Sequence, residues 1–265
     1  MKDGEKSSIR RENLHAALIK DQRFTQIGLR KEGVFLGDRD HDGTPIPDFV
    51  GAKPENLLSL MDDWLEENEK LTHDDLDPVF HAVIIAFSFV YIHPLEDGNG
   101  RLHRYLLHHV LGKRGFYPQG MIFPISSVIL NEIETYRDVL IDHSAPLMEF
   151  IQWNPTQKGN VTVTNDTIDF YRYFDCTQEC EFIYNCVEKT INETLPAELK
   201  YLEAYDKSFV EIQQIIEMPD NEIKKLMTFI LQNKGVLSTR KKESFFPQLR
   251  IEEQIQIQEI IKHYF

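Results

Sequence analysis

The sequence predicts a mainly helical protein with one hairpin-like interruption near its start and a C-terminal segment of different character. Three observations carry that expectation. Apolar residues recur at helical spacing, as in KPENLLSLMDDWLEENEK, where Leu57, Leu60, Met61 and Trp64 share a face. The run VFHAVIIAFSFVYI, residues 79–92, is apolar on nearly every face, which suits only a helix surrounded on all sides. The segment GVFLGDRDHDGTPIPDFVG, residues 33–51, gathers glycines and prolines between short apolar stretches and reads as strand, polar turn, strand.

Taken in order, residues 9–21 read as a short helix, followed by the hairpin segment and the helix around Trp64. Asp77-Pro78 offers an N-cap with proline at the first helical position, a start signal for the apolar run. Pro94 and Gly98 end that run, and NGRLHRYLLHHVL begins the next helix, closing near Gly112 or Gly115 with Pro118 beyond. Helices are expected to continue to about residue 190. Beyond LPAELKYL the pattern reads helix, turn, helix, then two short strands around Thr239–Ser244, an order that resembles a winged helix-turn-helix. The expected division is a first domain over 1–195, with its hairpin at about 33–51, and a second over 203–265.

Composition bounds the function. With 265 residues and 42% hydrophobic side chains the chain can build a sizeable core. A formal net charge of -14 argues against nonspecific binding to nucleic acid or anionic membranes. The opening MKDGEKSSIRREN has no apolar stretch and no run is long enough to span a bilayer, so a cytoplasmic chain without membrane association is expected. Cys176, Cys180 and Cys186 form no CxxC pair and read as reduced, partly buried thiols. DRDHDG, Asp38 to Gly43, looks like the start of a calcium loop, but Phe49 stands where the twelfth-position glutamate belongs; a solvated acidic turn is the better reading. His103, His108 and His109 read as surface or half-buried residues of an amphipathic helix, not ligands. The tail is locally basic through Lys224, Lys225, Lys234, Arg240, Lys241 and Lys242, yet protein or intramolecular packing is preferred there over nucleic acid.

The chemistry concentrates in HPLEDGNGRLHR, His93 to Arg104. Gly98, Asn99 and Gly100 open a helix, so their backbone N–H groups form an anion nest strengthened by the helix dipole. Arg101 and Arg104 lie on one helical face and can fork onto phosphate oxygens. Asp97 is a hard oxygen ligand suited to Mg²⁺ bridging phosphates. His93 can take a proton from a hydroxyl near neutral pH. Together these are the parts of phosphoryl or nucleotidyl transfer to a hydroxyl.

That stretch resembles the Fic family signature H-x-F-x-[DE]-G-N-G-R-x-x-R, with Leu95 in place of the phenylalanine. GLRKEGVFLG, PENLLSLMDDWL and the apolar helix follow the family's order, so the resemblance covers roughly residues 10–155. It implies a Fic-type helical bundle with a β-hairpin flap and transfer of AMP from ATP to a Ser, Thr or Tyr hydroxyl of a target protein. Some members also run the reverse reaction. The resemblance makes His93 the base and Asp97 the Mg²⁺ ligand, with Gly98, Asn99 and Gly100 as the anion hole, Arg101 at the β-phosphate and Arg104 at the terminal phosphate. Gly98 and Gly100 favour AMP over the groups moved by Doc-like and phosphocholine-transferring members. The target protein would dock on the flap; self-modification and a homo-oligomer are further expectations. Ser8 to Asn13 matches the inhibitory pattern [ST]-x-x-x-E-[GN], in which Glu12 would compete with phosphate for Arg104. The other class is a catalytically silent Fic-fold module that binds protein or DNA; intact His93, Asp97 and Arg104 favour the enzyme.

Overall fold

The computed structural model describes residues 28–265; the helix expected over 9–21, and Glu12 in it, lie outside them. The chain divides into two units, Met1–Thr190 and Ile191–Phe265. It is mainly helical, with two small two-stranded sheets among the described residues.

The described part of the first unit opens with the expected hairpin. Strand β1 (Phe35–Arg39) runs antiparallel to β2 (Pro45–Val50), with Phe35 opposite Val50 and Arg39 opposite Pro45. The Asp40 carboxylate holds the turn by accepting the N–H groups of Asp42 and Thr44 at 3.0 and 2.8 Å. Five of this unit's helices follow from the sequence as the apolar pattern requires: α1 (Leu57–His73), α2 (Pro78–Ile92), α3 (Asn99–Lys113), α4 (Ile125–Asn131) and α5 (Ile133–Met148). α6 (Thr177–Lys189) completes it.

α2 is the centre. Eleven of its fifteen residues are buried, and it packs against α1, α3 and α6. Its start is capped as expected: the Asp77 carboxylate accepts from the N–H groups of Val79 and Phe80 at 2.8 and 3.1 Å. The Trp64 indole donates to the Ile85 carbonyl at 2.9 Å, so α1 is fastened to α2 by a polar bond inside an apolar contact.

A second hairpin interrupts what the sequence suggested was continuous helix. β3 (Trp153–Pro155) pairs with β4 (Val161–Val163), and Val161 and Val163 join Val50 and Ile151 in a cluster beneath the first hairpin. Strands of three residues are too short to display alternation, and their stability comes from this contact at a distance in sequence.

The second unit contains α7 (Leu195–Ile215), α8 (Asp220–Gln232), α9 (Thr239–Phe245) and α10 (Ile251–Tyr264), closed over Ile212, Ile223, Leu226, Met227 and Ile257. The two strands expected around Thr239–Ser244 are instead helix α9, so the unit has no strand-built wing among the described residues. The reason is local. The Ser238 hydroxyl caps the helix by accepting the Lys241 N–H, and Arg, Lys and Glu are good helix formers. The Lys241 ammonium also stacks over Phe229 at 3.6 Å, drawing α9 onto α8. Among the described residues no helix is long and apolar enough to cross a membrane.

Burial pushes His81, His93 and His143 down to about 4 and His103 to about 3. Unfolded, each titrates near its ordinary value of about 6.5, so the unfolded chain binds more protons below that pH. Stability should therefore fall as pH drops from about 6.5 toward 4, with Glu179, pushed up by burial, acting in the opposite sense. Urea midpoints at pH 7 and pH 5 measure this; equal midpoints would contradict the neutral state of these buried rings.

Candidate active site

The apolar helix α2 ends at His93, which adopts a left-handed backbone conformation, φ 53 and ψ 58, as its C-cap. A residue with a side chain occupies this region only at a cost of about 1–2 kcal/mol, so neighbours must hold it. Its N–H donates to Phe89 O at 3.0 Å. Its ring Nδ1 lies 3.2 Å from Val90 O. A carbonyl only accepts, so Nδ1 carries the proton and Nε2 is left with a lone pair. Burial, with a smaller contribution from the Arg30 charge, pushes the ring down to about 4, and the Val90 bond opposes them. His93 is a neutral imidazole at pH 7, with Nε2 able to accept a proton.

Arg30, within GLRKEGVFLG, has no role legible in the sequence, where no acid or spacing marks it out. It is 4% exposed. Its Nε donates to His93 O and its Nη1 to Glu32 O, both at 2.7 Å, and its Nη2 donates to Ala52 O. Its backbone N–H bonds Pro94 O at 2.9 Å. Burial pushes the guanidinium down to about 10, still fully charged at neutral pH.

After His93 the chain turns sharply into α3. Asn99 makes that turn: its Nδ2 donates to Leu95 O at 2.8 Å, and its Oδ1 accepts the Leu95 N–H at 3.1 Å. Its side chain thus closes the loop, leaving its backbone N–H for an anion. Leu95 is buried at 5% exposure. Gly98 begins the helix at φ 91, a conformation glycine adopts without steric cost. A Cβ placed on Gly100 would meet only Arg104 Nη1, at 3.8 Å, so the first turn is open in front. The N–H groups there have no intrahelical partner.

Asp97 and Arg101 form an ion pair at 2.8 Å, both about half exposed, and the Asp97 Oδ1 also accepts the Gly98 N–H at 2.7 Å. An exposed pair is worth only about 0–1 kcal/mol, so a metal or phosphate can displace it. Arg104 is half-buried one turn along, on the same face as Arg101. The residues fit a nucleotide triphosphate with its metal: a single carboxylate beside phosphates is the usual Mg²⁺ arrangement, and the helix N-terminus is clear for the phosphates.

The hairpin meets the loop at His93, where the Phe49 ring lies 5.7 Å from the imidazole. A cavity of about 270 Å³ lies between hairpin, α2 and α5, walled by Leu36, Phe49, His93, Arg137 and Ile141. The outer strand β1 is largely exposed and pairs with β2.

The other sequence candidates are not brought into this site. His103 is fully buried, edge-on to Phe87 at 4.7 Å with Nδ1 3.3 Å from the Tyr136 hydroxyl. His108 bonds Ser126 at 2.6 Å, and His109 stacks on Tyr105. The three thiols are free. Asp40, His41 and Asp42 approach within 4.8 Å, but His41 and Asp42 are exposed and Asp40 already holds the turn.

The Fic/DOC family model matches residues 10–111. The protein adenylyltransferase fic-1 of Caenorhabditis elegans is 30% identical over 108 residues, 40% of this chain and 20% of that protein. The protein adenylyltransferase Fic of Nematostella vectensis is 36% identical over 76 residues, 28% of this chain and 17% of that protein. The chain therefore spans about a fifth of the length of these curated relatives. A crystal structure of a Fic domain containing signaling protein from Bacteroides thetaiotaomicron superposes with TM-score 0.44 at 21% identity, covering 71% of this chain and 62% of that one. That likeness is too slight to add to the fold. The match to the Fic/DOC family model over 10–111 includes the whole of the His93 to Arg104 loop.

Proposed function

We propose that this chain transfers AMP from ATP to a hydroxyl of a target protein. The observation that carries the reading is a neutral, buried His93 that lines a cavity under the hairpin and is followed, one loop later, by an open helix N-terminus with two arginines on one face. In this reading the target's O–H approaches His93 Nε2. The hydroxyl oxygen bonds to the α-phosphorus, the proton passes to Nε2, and the bond from the α-phosphorus to the bridging oxygen breaks to release pyrophosphate. The N–H groups at the start of α3, with Arg101 and Arg104, neutralise the charge that gathers on the phosphate oxygens. Asp97 would hold Mg²⁺, which when bound screens the phosphate charges. The same groups serve the reverse reaction by microscopic reversibility.

The relatives' name, protein adenylyltransferase, supports this class of reaction for the domain. The exposed edge of β1 supports the flap as the docking site, with a target segment adding its backbone as a further strand.

Three experiments test the reading, the first two with ATP, Mg²⁺ and cell lysate as source of targets. His93→Ala should abolish transfer while leaving ATP affinity within about twofold, because the imidazole acts on the hydroxyl. The pH profile of kcat/KM in the unmodified chain should keep its acid limb well below the ordinary histidine value, near 4, since only the neutral ring accepts a proton. An acid limb centred near 6.5 would sink the assignment of His93 as a desolvated base. Asp97→Ala should remove the Mg²⁺ dependence of ATP binding in calorimetry; an affinity that is already metal-independent before substitution contradicts that ligand.

A further inference from the structure

We infer that Arg30 is the positioning residue of His93, fastening both ends of the flap hairpin to the carbonyl of the base. The inference rests on the proposed role of His93. Three carbonyls converge on one guanidinium: His93 at the end of α2, Glu32 just before β1, and Ala52 just after β2. The backbone N–H of the same residue holds Pro94. Arg30 is 4% exposed, and its side-chain bonds to His93, Glu32 and Ala52 all go to carbonyl oxygens.

A buried guanidinium keeps its charge only where its donors are met, so this geometry is demanding. Lysine cannot reproduce it, because an ammonium donates from a point and not from a planar fork. The packing leaves no slack. A Cβ on Gly51 would lie 3.0 Å from Arg30 Nη2 and 3.2 Å from His93 Cβ, inside ordinary contact. Flap, arginine and histidine therefore share one small volume.

Two consequences follow. The left-handed conformation of His93 is held through its own carbonyl, so losing the Arg30 Nε bond frees the ring's starting point and not merely its tip. A displacement at the base of the flap also reaches His93 through a single side chain. Docking of a segment on β1 is thereby linked to the orientation of Nε2.

The test uses Arg30→Lys and Arg30→Gln in the full chain, each read by thermal melting, by kcat and KM for ATP, and by ¹⁵N NMR titration of the His93 ring. The ring signal is assigned by its loss in His93→Ala. The expected result is a folded protein with KM for ATP within about twofold, kcat lowered at least about tenfold, and the His93 titration moved up from near 4. Asp38, Asp48 and Arg137, the charged groups lining the cavity with His93, and the neighbouring Tyr91 are unchanged in both variants, so a moved titration reports Arg30. Wild-type kcat and titration in folded Arg30→Lys would overturn the inference. So would loss of fold and activity together in both variants, which would make Arg30 an ordinary core residue. If the unsubstituted chain transfers no AMP, the functional reading fails by itself, and the titration alone then decides Arg30.

Discussion

The constraint on which the site depends is that the C-terminal end of α2 is buried. A helix ends with carbonyls that have no partner within it, and a buried carbonyl left unmet costs about 1–3 kcal/mol. α2 is apolar almost throughout and wrapped by α1, α3 and α6, so water cannot meet that need. The chain meets it with its own groups. His93 Nδ1 bonds Val90 O, Ala52 N–H bonds Ile92 O, Arg30 Nε bonds His93 O, and Arg30 N–H bonds Pro94 O. Closing these acceptors brings the start and the end of the hairpin to one point. The placement of the flap beside the imidazole is thus a by-product of hydrogen-bond accounting at a helix end.

The next helix presents the opposite case. At the start of α3 the groups without partners are donors, and the loop leaves several of them open. Asn99 spends its side chain on Leu95, Gly98 bends the chain without a Cβ, and Gly100 puts no side chain across the opening. Acceptors are closed at one end of the loop and donors are exposed at the other, about a turn of chain apart. Such a place favours an anion even in a chain of net charge -14, because local dipoles and two guanidinium groups outweigh distant, screened carboxylates.

Much of this was legible in the sequence, for identifiable reasons. The cap at Asp77-Pro78, the all-round apolar run and the glycine-rich entry to α3 are local signals, and each became the element expected. The hairpin at 35–50 was legible because its turn carries asparagine-like and glycine chemistry within a few residues. What was missed acts at a distance. Arg30 works 63 positions away from His93, and nothing in an isolated arginine reveals three carbonyls waiting for it. β3 and β4 exist because Val161 and Val163 find Val50. The strands expected in the tail failed for a different reason: a short polar stretch between turns is ambiguous, and Ser238 together with lysine stacking on Phe229 decided it for helix. For Asn99 the role expected of a backbone donor was incomplete, since its side-chain amide closes the loop and only its backbone is left for the opening.

A base held near 4 raises a question of sufficiency for the proposed transfer, because such an imidazole is a weak proton acceptor. The answer lies in how phosphoryl groups move. In a loose, largely dissociative transition state the bond to the leaving oxygen is well broken before the new one forms, so the attacking hydroxyl need not be deprotonated in advance. Its acidity rises steeply only as the new bond to phosphorus develops, and a weak base then suffices to remove the proton. A stronger base would gain little and would be protonated in part at neutral pH, blocking the site. The greater demand falls on position and charge: a hydroxyl aligned with the α-phosphorus, and cationic groups on the departing pyrophosphate. That division matches what the chain provides, which is a fixed, desolvated imidazole and two arginines on one face of α3, one of them held only by an exposed ion pair.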